Sequence, residues 1–408
     1  MYVAELDRPW RETPFMFQGF EIHSDEQLTK LRELCRYVFV QEADAPIDPA
    51  RSGTVSAPQG RTRMRVIGGT TLTGSTRTVA QTPNTRYADS ATVEQELSAA
   101  RSIEREARNL VFTIMDDIRA GKRIDAPGAR KAVQSMTDSV IRNPDALVWL
   151  THLKKKHEYT VTHSLRVSIL ALAFGRHLDY PRDKLELLGL GALLHDIGKL
   201  KVPNEILDKP ARLTDEEFVI MRQHVPLGVE LLRATPDVPQ AAVEVARCHH
   251  ERFNGVGYIN GLKGEEIGEF GLIGAIVDSY DAITSDRAYH GGLSPADALK
   301  ILYDEKNTAF HAGFVEQFIQ CVGIYPIGSI VELSDHSIGV VTTVNRGRRL
   351  KPQLAVILDP RHQPLPRPQA LDLVNNPRTT TGLPLDIRAV LPAGSYGIDP
   401  TRYIPGSY

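Results

Sequence analysis

Seven side chains able to hold a metal recur through the middle of this 408-residue chain: His163, the doublet His195-Asp196, His224, the doublet His249-His250, and Asp278. Each falls in a stretch whose pattern reads as helix. Imidazole nitrogens together with carboxylate oxygens suit iron, manganese or a related divalent metal. One such residue would say little, because a lone core histidine is ordinarily a packed, satisfied side chain and a lone aspartate a cap or ion-pair partner. Seven, spaced by about one helix and loop each, describe a helical bundle aiming ligands at a common centre. One tetrahedral or facial-triad ion needs fewer, so the count favours at least two metals.

The elements that must position these residues can be read locally. His195-Asp196 closes the apolar helix LELLGLGALLHDIGKL, and its carboxylate has a second oxygen free to bridge to another ion. His163 lies on TVTHSLRVSILALAF, sharing a face with Tyr159 and Val167. Asp278 lies in the otherwise apolar IGAIVDSYDAI, where an unpaired charge would be too costly. Thr214-Asp215-Glu216-Glu217 is a capping box that opens the helix carrying His224, and Pro226 predicts a kink or early end that re-aims the ring. His249 and His250 are adjacent on a helix and should point about 100° apart. Two neighbouring ions, or one ligand and one supporting residue, suit that pair better than one shared ion. His152, His157 and His177 read as surface residues, His336 falls in a turn, and His311 carries no argument for ligation.

Composition narrows the class. A formal net charge of −2 argues against a general nucleic-acid binder, which would carry a strongly basic face. Cys35, Cys248 and Cys321 are odd in number and scattered, so the expectation is a reducing cytoplasm without a disulfide framework. The opening MYVAELDRPWRETPFMF lacks the basic start and apolar run of a secretory signal, and the apolar run Ile169–Phe174 is far too short to span a bilayer.

Five regions follow from the texture of the chain. Residues 1–40 read as a small module with a capping box at Ser24–Gln27 and a strand at Val38–Val40. Residues 41–91 are rich in Pro, Gly, Ser and Thr and read mostly as a linker. Their arginines have no interleaved aromatic until Tyr87, which disfavours a nucleic-acid patch. Residues 92–154 form a helical connector: one helix from Thr92 to Gly121, a second over Ala129–Ile141, a third from Asn143-Pro144 to Leu153. Residues 155–323 are helical almost throughout, and 324–408 read as a small β meander of about four strands with an extended Pro/Gly-rich end.

The motifs now have a recognisable order. YTVTHSLRV, LLHDIGKLKVPNEILDKPARLTDEEFVIMRQH, HHERFNGVGYINGLKGEEI and IVDSYDAITSDRAYH together resemble the HD-GYP family of cyclic di-GMP phosphodiesterases over about Lys155 to Val322. The N-terminal segment resembles an uncharacterised module often placed ahead of such domains. The fold this implies is mainly α: an HD-superfamily helical bundle with a small N-terminal α/β module and a small C-terminal β unit. The resemblance implies that His163, His195, Asp196 and Asp278 form the basic metal centre. It also implies that His224, His249 and His250 extend the centre to a second ion, with Asp196 bridging. Some members carry a glutamate where this chain has Tyr159, which favours two metals over three. The family's HHExxDGxGYP reads HHERFNGVGYI here, with Asn254 and Ile259 as departures, and His290 stands where Arg or Lys is usual. The metal ligands are untouched, so the expectation is altered loop rigidity rather than lost chemistry.

The activity implied is hydrolysis of cyclic di-GMP to pGpG, with a second cut to GMP left open. A hydroxide held between two divalent ions, Fe or Mn, would be the nucleophile, because metal binding lowers a bound water's pKa to about 7. Lys199 and Asp196 take the catalytic roles, Lys199 also holding the phosphate. Arg287 would clasp the second phosphate, Asp281 would orient a ligand or water or touch substrate, and Tyr258 belongs to the site wall. The loop over 253–261 is also a surface for a protein partner, and the oligomeric state stays open, a dimer included. Two other readings stand beside this one: a non-hydrolytic sensor that binds cyclic di-GMP, and an HD phosphohydrolase acting on another nucleotide.

Overall fold

The computed structural model describes residues 2–6, 20–21, 29, 38–41, 64–65, 87–151, 159–209, 211–285, 292–323, 325–345, 348, 350–379, 382–392 and 394–403. The chain divides into two compact units, Met1–Asn84 and Thr85–Tyr408.

In the first unit, β1 (Tyr2–Leu6), β2 (Phe20–Glu21), β3 (Val38–Gln41) and β4 (Met64–Arg65) form an antiparallel sheet in the order β2-β1-β3-β4. Strand β4 falls inside the stretch read from sequence as linker. The helix expected from Ser24 lies outside the described residues except for Thr29, which is helical.

The second unit begins with α1 (Val93–Arg119), α2 (Ala126–Arg142) and α3 (Pro144–Thr151). The α1 start is a full capping box: Thr92 Oγ1 accepts from the Gln95 amide and Gln95 Oε1 accepts from the Thr92 amide. Gly121, at φ +75°, takes the left-handed position just past the helix end. Helices α1 and α2 are tied through buried Glu96, which accepts from Ser139 Oγ at 2.7 Å and from Arg142 Nε at 2.7 Å. A buried carboxylate without those partners would cost several kcal/mol.

The helices of the region that carries the expected ligands follow: α4 (Tyr159–His177), α5 (Arg182–Leu194), a 3-10 turn (Ile197–Lys201), α6 (Asn204–Leu207), α7 (Asp215–Arg222), α8 (His224–Arg233), α9 (Gln240–Cys248), α10 (Glu269–Thr284), α11 (Pro295–Asp304) and α12 (Ala312–Val322). Most of α4, the second half of α5 and most of α10 are buried on nearly every side because they lie inside the bundle. Phe174 of α4 meets Phe318 of α12 edge-to-face at 5.2 Å, both rings fully buried. Burying each such side chain contributes about 1.5–3 kcal/mol. Gly191 lets α5 cross α9 at backbone distance, since a Cβ there would stand 2.5 Å from the Ala242 carbonyl oxygen.

After the bundle come β5 (Ile330–Leu333), β6 (Ile338–Thr343), β7 (Gln353–Leu358), β8 (Pro364–Asp372) and β9 (Ile387–Leu391), an antiparallel sheet in the order β8-β7-β6-β5-β9. Val331, Leu333, Val341, Leu354 and Leu373 are its packed core. The expectation of about four strands falls short, since part of the stretch read as an extended surface tail pairs as β8 and β9. Among the described residues, no helix is long and apolar enough to cross a membrane.

Candidate metal centre

The seven sequence-predicted ligands come together. His163, His195 and Asp278 form one group, and Asp196, His224, His249 and His250 a second, with the ligand atoms of each group lying within 4.8 Å of one another. Asp196 stands between them. Its Oδ2 faces His195 Nε2 at 3.2 Å and His163 Nε2 at 3.5 Å, while its Oδ1 faces His224 Nε2 at 3.5 Å and His249 Nε2 at 3.7 Å. His163 Nε2 is also 3.1 Å from Asp278 Oδ1.

Four of these residues, His195, Asp196, His249 and His250, owe their place to a helix that stops where the ligand begins. Helix α5 ends at Leu194, His195 caps it, and Asp196 leads into the 3-10 turn. That turn runs against α8 with no room for a side chain: a Cβ on Gly198 would stand 1.9 Å from the His224 carbonyl oxygen and 2.5 Å from the Gly228 nitrogen. The helix opened by the Thr214 capping box does not carry His224, contrary to the sequence expectation. It stops at Arg222, and after Gln223 a new helix starts at His224. Pro226 explains the break, because its ring clashes with a continuing helix but is harmless in a first turn, where its missing N–H needs no partner. His249 and His250, expected to serve two ions or to split as ligand and support, fall together. Helix α9 ends at Cys248, the rings lie 4.1 Å apart, and both belong to one group.

The histidine rings are oriented from behind. Nδ1 of His195 donates to the Ala192 carbonyl at 2.8 Å, Nδ1 of His224 to Met221 at 2.7 Å, and Nδ1 of His249 to Ala246 at 3.0 Å. A carbonyl oxygen only accepts, so each Nδ1 carries a proton and each Nε2 is the nitrogen that faces the pocket and can bind an ion once it is unprotonated. His163 is held differently. Its Nδ1 meets Asp281 Oδ2 at 2.7 Å, and Asp281 is itself gripped by Arg166, whose Nε is 2.6 Å from Oδ1. Asp281, offered from sequence as a substrate contact or an orienting group, is thus buried behind a ring. Its oxygens are engaged by His163, Arg166 and Ser285 and are not turned to the substrate wall. Sequence reasoning missed Arg166, although it sits three residues after His163 on the same helix.

Electrostatics separate the imidazoles. Burial would lower His195, but Asp196 and Asp278 outweigh it and raise its pKa to about 9. Burial opposes the rise for His163 too, yet three carboxylates carry it well above the usual value. Burial lowers His224 to about 4, and burial with the neighbouring His249 lowers His250. Asp196 is held well below the carboxylate range: burial opposes this, and His195 and Lys199 overcome it.

The donor set fits a divalent cation. His195 Nε2 and Asp196 Oδ1 are buried without a hydrogen-bond partner, an arrangement that costs about 1–3 kcal/mol per atom unless something positive satisfies them. Lys199 follows one turn later, with Nζ 2.6 Å from Asp196 Oδ2 and its side chain 22% exposed, at the mouth rather than the floor of the pocket. Tyr258 stacks on His250 with centroids 4.6 Å apart and closes one side. Arg287 and His290 lie outside the described residues, as do His152, His157 and the side chain of Tyr159. His177 is half-buried and paired with Gln317, and His311 caps α12.

The loop after α9 accounts for its own departures from the expected motif. Glu251, fully buried, accepts from the amides of Asn260 at 2.8 Å and Leu262 at 3.1 Å. Asn254 Oδ1 accepts from the Val256 amide at 3.1 Å, a local turn bond that asparagine makes as well as aspartate. Val256 and Ile259 are exposed.

Comparison with known proteins agrees with this geometry. The HD domain family matches residues 148–312, a domain of unknown function (DUF3391) matches 1–129, and a KOW domain associated with the HD domain matches 330–380. A curated cyclic di-GMP phosphodiesterase of Pseudomonas aeruginosa is 35% identical over 383 residues, 91% of this chain and 86% of that protein. A cyclic di-GMP phosphodiesterase of Thermotoga maritima is 36% identical over 162 residues, 40% of this chain and 44% of its own length. A 3'3'-cGAMP-specific phosphodiesterase of Vibrio cholerae is 33% identical over 162 residues, 40% of this chain and 31% of its own. With the HD match lying on the helices that carry the two ligand groups, and the Pseudomonas relative aligned over nearly the whole chain, the protein belongs to the HD-GYP phosphodiesterase family.

Proposed function

We propose that this protein hydrolyses cyclic di-GMP to linear pGpG at a centre of two divalent metals, iron or manganese. The reading rests above all on Asp196, whose two oxygens face two separate groups of buried imidazoles. His163, His195 and Asp278 would hold one ion, His224, His249 and His250 the other, and Asp196 would bridge them. Bound there, the metals supply an activated water at neutral pH and neutralise charge on the phosphoryl oxygens. The chain's own groups do the rest. The Nδ1 contacts fix which ring nitrogen faces the pocket, so the ligands need no reorganisation when substrate arrives. Lys199, at the pocket mouth beside Asp196, offers its ammonium to a phosphoryl oxygen and counters the charge that grows as the P–O bond breaks. Tyr258, packed on His250, excludes water from one side of the reacting centre. The exposed Val256 and Ile259 leave the 253–261 loop free to meet a protein partner.

The test is a product assay beside metal analysis on one purified sample. Protein loaded with Fe(II) or Mn(II) is incubated with cyclic di-GMP, 3'3'-cGAMP, cyclic di-AMP and pGpG in parallel. About two ions per chain and pGpG formed from cyclic di-GMP support the reading, and GMP appearing later would add the second cut. Tight binding of cyclic di-GMP without product would replace the enzyme by a sensor. A second substrate reading has its own support in the Vibrio cholerae 3'3'-cGAMP-specific relative, and a preference for the mixed dinucleotide would establish it.

A further inference from the structure

Arg222 is the last residue of α7, two positions before His224. Its guanidinium lies 4.5 Å from the ring centroid of Phe218 and 4.8 Å from that of Tyr258. Those two rings meet edge-to-face at 6.0 Å, and Tyr258 stacks in turn on His250. A ladder of flat groups therefore climbs from the second ligand group to the surface, where Phe218 is 38% exposed. Arg222 is half-buried, its Nε is buried without a partner, and among the described residues it makes no ion pair.

Lys199, Arg166 and Arg142 each have a carboxylate partner. Arg222 is instead held by two aromatic rings. The rings stand at 83° to each other, so the guanidinium lies flat on at most one of them; together they fix its plane, and the N–H groups not turned to the second ring keep their donors for something else. The group that matches a fixed planar edge of this kind is one with two acceptors side by side. Guanine presents such a pair in O6 and N7, and adenine does not, because its N6 is a donor. The exposed ring of Phe218 adds a face on which a base can stack.

We propose that Arg222, held between Phe218 and Tyr258, reads the O6/N7 edge of one guanine of the substrate and sets the preference for guanine over adenine. This rests on the cyclic dinucleotide reading above and names the residue that selects the base. The cyclic dinucleotide places a base to either side of its phosphates, and the ladder supplies a base site beginning one ring away from a metal-ligand candidate. Glutamine at this position pairs bidentately with adenine N6/N7, so the selectivity can be turned as well as removed.

The experiment measures kcat and KM for cyclic di-GMP and cyclic di-AMP with wild type, Arg222→Gln, Arg222→Lys and Phe218→Ala, on metal-loaded full-length protein. Titration calorimetry with both dinucleotides runs beside it. R222Q should lower the cyclic di-GMP to cyclic di-AMP ratio of kcat/KM roughly tenfold or more, the effect lying in KM, with metal content unchanged. R222K keeps the charge and loses the planar fork, so it should lose the preference as well. F218A should weaken both dinucleotides similarly. An equal loss on both substrates in R222Q, with R222K near wild type, would make Arg222 a phosphate-binding cation and overturn the proposal. Unchanged constants, or lost metal and unfolding by circular dichroism in both Arg222 variants, would reduce it to a structural residue. A wild type that turns over no dinucleotide would refute the enzymatic reading, and the calorimetric preference for guanine would still decide the role of Arg222.

Discussion

The pair Asp281→Asn and Asp281→Ala separates what the carboxylate does for the fold from what it does for the metal. Asp281 is 3% exposed, its pKa lowered to about 2 against the effect of its burial by Arg166 and His163. The Arg166 side chain is 11% exposed, so truncation to alanine takes away the carboxylate that its Nε and Nη2 both contact in a nearly buried place. Removing one partner of such a pair costs about 3–5 kcal/mol. At roughly 2 °C per kcal/mol for a domain of this size, Tm should fall by about 6–10 °C. Asparagine keeps the shape and can still accept from Arg166, so its fall should be less than half of that. The metal should behave differently. Either variant loses the anion behind His163 Nδ1, and loss of such a supporting carboxylate weakens metal binding about 10–100-fold. The assay is thermal denaturation of metal-free protein and a competition titration with Mn(II), run on the same preparations. The reasoning is refuted if D281N melts near wild type and also binds Mn(II) within twofold of it.

Replacing His195 and Asp196 together by alanine should abolish metal retention and turnover at once while the far-ultraviolet spectrum stays helical; turnover surviving in metal-depleted double variant would contradict the centre. His195 has its pKa raised to about 9, so it carries a proton through neutrality that an incoming ion must displace. His163, also raised, adds a second proton to displace, so metal affinity should climb at least about tenfold per pH unit between pH 6.5 and 8.5, and a flat titration would disprove it. The His195 shift adds fold stability below pH 6.5 that is lost as pH rises through about 9. Gly198→Ala should cost more than about 3 kcal/mol, because the clash is with the backbone of α8 rather than with a yielding side chain, and a urea midpoint within error of wild type would rule that out.

The ligand set was legible because its chemistry lies in residue type and order, which folding does not alter. Its arrangement was less so, and the misses share a cause. Helical projection put His249 and His250 on diverging bearings and His224 on the helix of Thr214, yet the helices end at Cys248 and Arg222, just before these residues, and a projection along one continuous axis does not extend past those ends. Arg166 was passed over because an arginine in an apolar helix reads as a solvated charge until its partner on α10 is known. Strand β8 was hidden by Pro364, Pro366 and Pro368. Prolines at every second residue lack an N–H on one side of a strand only, and β8 is an edge strand with one side unpaired.

Glu251 changes how the name-giving tripeptide should be weighed. The loop is fastened by a carboxylate that grips main-chain amides, and a main-chain amide is supplied by any residue except proline. Letters at 254 and 259 can therefore drift while the backbone path persists. A survey of genomes keyed to that tripeptide would discard chains like this one, whereas a search for the histidine doublet followed directly by glutamate would keep them.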